Sequence, residues 1–184
     1  MTESWLDEVR EQLRDRKVDL DLVLQRMVDE ATGELDADRG TLYLVDHARA
    51  ELVSRVAHLP EISEIRLKLG EGVAGRVAAS GDRANVSDDS SLELRANRFD
   101  VLTGYRTRSL LATAVRNEEG TVVGVLQVLN KRQGVFDDLD EDVIDALATG
   151  ISEVLDDSSL GSQLRAGSAH SLSFRFNGIV GDSP

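Results

Sequence analysis

The middle of this 184-residue chain reads Ser109-Leu110-Leu111-Ala112-Thr113-Ala114-Val115, then Asn117-Glu118-Glu119-Gly120, and then Val122-Val123-Gly124-Val125-Leu126-Gln127-Val128-Leu129. The outer segments are rich in β-branched and aliphatic residues, and the segment between them contains asparagine and glycine, which favour tight turns. Together they predict an antiparallel β-hairpin. Residues 41–46 and 51–56 have the same character and are joined by four residues, so they predict a second hairpin.

Amphipathic helices are predicted on both sides of these strands. Apolar residues repeat at helical spacing over residues 20–35 and again over residues 3–16. A third helix is predicted to start at Asp138, where Glu141 three residues later completes a capping pattern, and to continue to Leu155. This order of elements predicts an α+β domain whose antiparallel sheet is covered by helices on at least one face.

The segment between the two hairpins begins with an alternating strand over residues 65–69, followed by glycines and a small-residue helix over 73–80. Residues 70–75 read G-x-G-x-x-G and match a dinucleotide-binding fingerprint, which normally follows a continuous buried strand in βαβ order. The alternating strand and the hairpin neighbours favour a tight strand-to-helix turn instead. Residues 82–108 are polar and predict a long loop with a short helix near 92–99.

The composition excludes several classes of function. The chain has 21 basic and 34 acidic residues, a net charge of −13, so direct binding to nucleic acid or to an anionic membrane is not expected. It has no cysteine, and its three histidines are not at metal-ligand spacing, so no disulfide, thiolate or metal site is predicted. Without a signal peptide or a membrane-spanning run, a cytoplasmic location is expected.

Catalytic motifs are also missing from the sequence. There is no phosphate loop, no kinase signature, no nucleophile elbow and no H-E-x-x-H pair. We therefore predict that the chain is not an enzyme and requires no cofactor.

A five-position motif resembles a known family. Asn130 and Lys131 are followed by Phe136, Asp140 and Glu141, the N-K-x(n)-F-x(3)-D-E pattern of GAF domains in cyclic-nucleotide phosphodiesterases and some adenylyl cyclases. The resemblance extends from about residue 19 to residue 155. It implies a GAF-like central antiparallel sheet, with N-terminal and C-terminal helices packed on one face and a ligand lid, residues 80–107, on the other.

The motif has a physical interpretation without a ligand. Lys131 at the end of a central strand and Asp140 in the first turn of the last helix predict a partly buried ion pair that fixes this helix to the sheet. Phe136 is predicted to fill the space beneath it. Any effect of Lys131 and Asp140 on ligand binding is then indirect.

The family resemblance also implies a set of ligand contacts, carried over position by position. They are Thr41, the backbone of Ala57 and His58, Val73, Asp100, Thr103, Thr107 and Gln127. Ala57 and Ala96 stand where aromatic residues often stack on a nucleobase, whereas Arg98, Arg106 and Arg108 offer positive charge. A cyclic nucleotide and another small molecule both remain open as ligands.

A second, shorter resemblance concerns the C-terminus. Residues 176–184 are similar to the opening of the AAA+ domain in bacterial activators that work with sigma-N polymerase. We therefore divide the chain into an amphipathic helix (1–18), a GAF sensory domain (19–157), and a flexible linker with the possible start of a truncated AAA+ domain (158–184).

The expected function is non-catalytic sensing of a small molecule, with control of an attached transcriptional activator ATPase. A homodimer through the N-terminal helices and the last helix is expected, because the apolar stripe of residues 3–16 lacks an obvious partner. The alternative is a ligand-free dimerisation or scaffold module. An enzyme of the methionine-sulfoxide-reductase type is excluded because the chain has no cysteine.

Overall fold

The structure, a computed structural model, describes residues 19–58, 64–87 and 104–157. The elements in these ranges are α1 (Leu20–Glu34), β1 (Ala37–Asp46), β2 (Glu51–Ala57), β3 (Arg66–Lys68), α2 (Gly72–Ser80), β4 (Ala84–Ser87), β5 (Ser109–Arg116), β6 (Val122–Lys131) and α3 (Asp138–Asp156). The helix predicted over residues 3–16, the short helix near 92–99 and the linker over 158–184 lie outside the described residues.

The strands form one six-stranded sheet in the order β3-β2-β1-β6-β5-β4, and every neighbouring pair is antiparallel. Both predicted hairpins are present, as β1–β2 and β5–β6. β1 begins at Ala37 rather than Thr41, because Ala37, Arg39 and Gly40 pair with the last residues of β6. The predicted α+β class with an antiparallel sheet is confirmed.

Helices α1 and α3 cover one face of the sheet. Their buried apolar residues meet those of β1, β5 and β6 in one core that includes Leu24, Val28, Ile144 and Ile151. α1 leads into β1 and α3 follows β6, where Ala37 pairs with Lys131. The two helices therefore run in opposite directions, and the start of α1 and the end of α3 both lie toward the β5–β6 turn. At the end of α3, the Glu118 N–H of this turn donates to Asp156 Oδ2 at 3.1 Å.

Helix α2 covers the opposite face, above a second apolar core formed with β1, β2, β5 and β6. The predicted strand-to-helix turn at the glycines is confirmed, since the Gly70 N–H donates to the Gly75 carbonyl at 2.8 Å. A Cβ atom at Gly75 would lie 2.6 Å from the Lys68 carbonyl oxygen, so only glycine allows α2 to approach β3 this closely.

Two local predictions are wrong. Residues 84–87, for which the sequence predicts a loop, form the edge strand β4, because their backbone pairs with residues 109–112. Ala84 and Val86 pack on the α2 side and Asn85 faces α3, so the alternation is present but only four residues long. The predicted start of α3 at Asp138 is confirmed, but its cap is Asp137: the Asp137 side chain accepts from the N–H groups of Leu139 and Asp140, and the Asp140 side chain accepts from the Asp137 N–H.

Candidate ligand-binding face

Four residues on adjacent strands form a row across the middle of the sheet, which we call the central row. Ala57 in β2 pairs with Thr41 in β1, Thr41 pairs with Gln127 in β6, and Gln127 pairs with Ala112 in β5. The two alanines belong to the α2 side of the sheet, so the row faces α2. The structure thus brings together three of the predicted contact residues, Thr41, Ala57 and Gln127.

A β-bulge sets the orientation of Ala57. Leu42 pairs with Val56 and Tyr43 pairs with Ser54, which leaves Arg55 as the extra residue of β2. Beyond the bulge, Val56 enters the core under α1 and Ala57 faces the α2 side. Arg55 binds Asp21 of α1 at 2.6 Å. Without the extra residue, the alternation of β2 would direct Ala57 toward the helices α1 and α3.

Tyr43 adds a third polar group to this face. Its side chain is 3% exposed, and the side chains of Thr41 and Gln127 lie beside its hydroxyl. Burial raises the pKa of the Tyr43 hydroxyl far above its usual value, although the neighbouring polar side chains of Thr41 and Gln127 oppose the change. The group is therefore neutral and able both to donate and to accept.

The remaining predicted contacts are distributed differently. Val73 in the first turn of α2 is buried in the core on the α2 side, and Thr107, just before β5, is 2% exposed. Asp100 and Thr103 lie outside the described residues. The His58 ring turns toward α1: its Nδ1 accepts from the Gly40 N–H at 3.2 Å, and its Nε2 lies 2.8 Å from Asp29 Oδ1. The backbone N–H of His58 donates to the Gly40 carbonyl.

Comparison with known proteins identifies the family. A model of the GAF domain matches residues 19–155. The chain belongs to the GAF domain family. Among proteins of known function, the dual 3',5'-cyclic-AMP and -GMP phosphodiesterase 11 of Drosophila melanogaster is 38% identical over an alignment of 126 residues, which covers 59% of this chain and 9% of that protein. The chain thus corresponds to a small part of that relative.

Solved structures share the GAF fold. The GAF domain of a phosphoenolpyruvate-protein phosphotransferase from Coxiella burnetii has a TM-score of 0.68 at 18% identity, over 88% of this chain and 93% of that one. Free methionine-R-sulfoxide reductase from Neisseria meningitidis, solved with its substrate, has a TM-score of 0.65 at 22% identity, over 85% of this chain and 89% of that one. GAF domains are generally regulatory, but the second match is a catalyst built on this fold.

In this GAF domain, Asn130 of the five-position motif organises the segment that leads into β5. Its Oδ1 accepts from the N–H groups of Arg108 at 2.6 Å and Ser109 at 3.2 Å, and its Nδ2 donates to the Arg106 carbonyl and the Tyr105 hydroxyl, both at 2.8 Å. Both acceptor positions and both donors of the amide are therefore used. Asn130 is 4% exposed and adopts a φ of 55°.

Tyr105 anchors the same segment to the start of β1. Its hydroxyl donates to Asp38 Oδ2 at 2.8 Å, and the Arg39 guanidinium lies 3.9 Å from the centroid of its ring. Burial raises the pKa of Tyr105, and the hydrogen bond to Asp38 adds to this effect. Residues 105–109 are thus held by contacts with both central strands.

The other motif residues join α3 to the sheet. Lys131 forms the predicted ion pair with Asp140, and Phe136 is buried near it, with its ring centroid 6.0 Å from Lys131 Nζ. Glu141 contacts the start of β4 instead: its Oε1 accepts from Asn85 Nδ2 at 2.8 Å, and its Oε2 pairs with Arg83. The motif residues therefore join the segment before β5, the start of β4 and the start of α3 to the end of β6.

Sequence reasoning missed several of these residues. Tyr43 was detectable in principle, since strand alternation puts it on the same face as Thr41. Asp38 precedes the predicted start of β1, and Arg83 and Asn85 lie in a polar stretch whose strand alternation is only four residues long. In the part of the chain that the structure describes, no group of three or more acidic or histidine side chains is arranged for a metal, and no helix there is long and apolar enough to cross a membrane.

His58 is expected to stabilise the contact between α1 and the sheet. His58→Ala removes the acceptor of the Gly40 N–H and the partner of Asp29, so the free energy of unfolding should fall by about 1–3 kcal/mol. His47→Ala, at an exposed turn position, is the matched control and should change it by less than about 0.5 kcal/mol. Urea denaturation of both variants measures the difference. Equal effects would show that the His58 contacts contribute nothing to stability.

Proposed function

We propose that this chain is a non-catalytic regulatory GAF domain that senses a small molecule and controls an attached output module. The observation that carries the proposal is the central row with Tyr43. Two buried polar side chains and a neutral hydroxyl converge on one face of the sheet, within an apolar core. Ligand pockets in proteins have this composition, with a mostly apolar lining and a few placed polar groups.

The polar groups of this face recognise hydrogen-bonding partners rather than charge. Thr41, Gln127 and the neutral Tyr43 each both donate and accept, which suits the polar edge of a heterocyclic ring. Cyclic AMP and cyclic GMP are the first ligands to test, because the Drosophila relative acts on both nucleotides, as its name states. Another small molecule with a polar ring edge is the second class.

The proposed output is an AAA+ ATPase of a sigma-N-dependent transcriptional activator. The support is the resemblance of residues 176–184 to the opening of that domain, which follows α3 in the chain. In this proposal the GAF domain is a cytoplasmic homodimer that does not itself bind nucleic acid or membranes. Sedimentation at tens of micromolar tests the dimer, since weak interfaces associate at such concentrations.

A threonine pair tests the ligand-binding face. Calorimetry against cyclic AMP, cyclic GMP and a metabolite panel identifies the ligand, and Thr41→Val should then weaken its binding by about 1–3 kcal/mol, because a polar ligand atom loses its partner. Thr32→Val is the matched control: Thr32 is also buried, but its hydroxyl donates to the Asp29 carbonyl within α1. If both variants weaken binding equally, the ligand does not contact the central row.

One observation favours the second candidate, a ligand-free scaffold. Thr41, Tyr43 and Gln127 are each less than a tenth exposed, so the face is covered by the protein's own side chains. Native mass spectrometry of the purified protein separates the two functions, because a bound small molecule adds its own mass. A folded protein that carries nothing and binds nothing in the panel would favour the scaffold.

A further inference from the structure

A polar groove separates α3 from the segment between α2 and β4. We name residues 81–85 the α2–β4 junction. The groove has a volume of about 1090 Å³ and is lined by this junction, by β5 and its turn, and by one side of α3. The rest of α3 packs in the apolar core, where Ile144 and Ile151 are fully buried. One side of α3 is therefore close-packed, while the other faces a groove crossed by polar contacts.

The first contact across the groove is near the start of α3. Arg83 pairs with both Glu141 and Asp145. Asn85 Nδ2 donates to Glu141 Oε1 at 2.8 Å and to the Phe136 carbonyl at 3.0 Å. Asp145 also accepts from the Thr113 hydroxyl of β5 at 2.6 Å. Two carboxylates of α3 thus bind the junction and the neighbouring strand together.

The second contact is near the end of α3 and uses Arg116 of β5 as an intermediate. Its Nη2 donates to the Gly81 carbonyl at 2.9 Å, and its own carbonyl accepts from the Ser152 hydroxyl of α3. Glu141 and Ser152 are about three helical turns apart, roughly 16 Å along the axis. The junction is therefore connected to α3 at two positions along the helix, one near its start and one near its end.

The junction is continuous with the ligand-binding face. Gly81 ends α2, whose Val73 and Val77 are buried in the core on that side, and Ala84 pairs with Ala112 of the central row. A displacement of α2 therefore reaches Arg83 through the short covalent connection at Gly81, and a displacement of the row reaches Asn85 through the backbone pairing of β4 with β5. On the other side of the groove, α3 is the last element that the structure describes, and it leads to the C-terminal residues.

We propose that the α2–β4 junction and α3 form the coupling interface of this domain, with Arg83 as its positioning residue. The proposal rests on the proposed function for the ligand that starts the change. The coupling itself is a property of the free chain and can be measured without a ligand. Close-packed cores resist small displacements, whereas partly exposed ion pairs rearrange at little cost; the Arg83 side chain is 32% exposed. A change at the central row therefore reaches α3 across the groove more readily than through the core.

Hydrogen exchange of the free 184-residue chain tests the coupling in both directions. In the double variant Glu141→Gln/Asp145→Asn, the amides of residues 77–87 should exchange about tenfold faster. In Arg83→Ala, the amides of residues 138–149 should exchange about tenfold faster. Arg83→Lys keeps the charge, so exchange in these residues should increase less than in Arg83→Ala. Unchanged exchange in residues 77–87 of the double variant, or in residues 138–149 of Arg83→Ala, overturns the proposal.

Asp21→Asn is the matched control, because it breaks the ion pair of Asp21 with Arg55, which joins a helix to the sheet away from the groove. Its effect should be confined to α1 and β2.

A second arm uses cyclic AMP and cyclic GMP as probes. Binding should slow exchange in residues 138–149 of the wild type but not of Arg83→Ala; binding without this protection in the wild type overturns the coupling. If neither nucleotide binds, the nucleotide proposal fails, and the free-chain exchange still decides the coupling.

Discussion

Replacing Asn130 with aspartate is expected to lower the free energy of unfolding by about 3 kcal/mol. The substitution is nearly isosteric and retains the acceptor for the N–H groups of Arg108 and Ser109. It removes the donor to the Arg106 carbonyl and places a carboxylate oxygen against that carbonyl, in a site that is 4% exposed. Urea denaturation followed by circular dichroism measures the loss.

Asn117→Asp is the matched control for this prediction. The Asn117 side chain accepts from the Thr121 N–H in the β5–β6 turn, and aspartate does this equally well, so a change below about 0.5 kcal/mol is expected.

The new carboxylate at position 130 should also make the stability loss depend on pH. Burial raises its pKa above the unfolded value, so the loss of stability should shrink as the pH falls through that pKa. A constant difference across pH would contradict a buried charge.

The second large effect is expected at the ion pair of Lys131 with Asp140. Lys131→Met keeps most of the side-chain packing but leaves the Asp140 carboxylate, which is 8% exposed, without its cation. Breaking one side of a buried pair costs about 3–5 kcal/mol, and we expect the lower end here because the Lys131 side chain is partly exposed. Thermal and urea denaturation both measure this loss.

A double variant separates the charge from the packing. Asp140→Asn added to Lys131→Met removes the unpaired charge and still offers an oxygen to the Asp137 N–H of the helix cap. The double variant should therefore be more stable than Lys131→Met alone. Arg132→Met is the surface control, since its pair with Asp36 is about half exposed and should contribute less than about 1 kcal/mol. A double variant no more stable than the single one would show that charge is not the cause.

Periodicity predicted the parts of the fold in which side chains alternate between core and solvent. The two hairpins, α1 and α3 carry such patterns. The turn before α2 was predicted from its glycines, which permit a helix to approach a strand closely. β4 was missed because its alternation of two apolar and two polar residues is only four residues long, in a polar stretch, and backbone pairing with β5 is what makes it a strand. The cap of α3 is ambiguous in sequence because Asp137, Asp138 and Asp140 all have capping side chains.

The site was predictable to a similar extent. The family resemblance suggested Thr41, Ala57 and Gln127, which the structure places in one row, and the motif suggested the ion pair of Lys131 with Asp140. The orientation of Ala57 depends on the extra residue of β2, which no pattern in the sequence reveals. The role of Asn130 depends on a left-handed backbone conformation and on four partners distant in sequence.

The opposite directions of α1 and α3 have a consequence for modular architecture. Because the start of α1 and the end of α3 lie toward the same end of the sheet, the polypeptide arrives and departs on one side of the domain. A unit with this layout is readily spliced into a host protein or repeated in series, since no connector has to cross the sheet. A force that attached segments apply to the domain would act at that side, at the end of the sheet opposite Lys131.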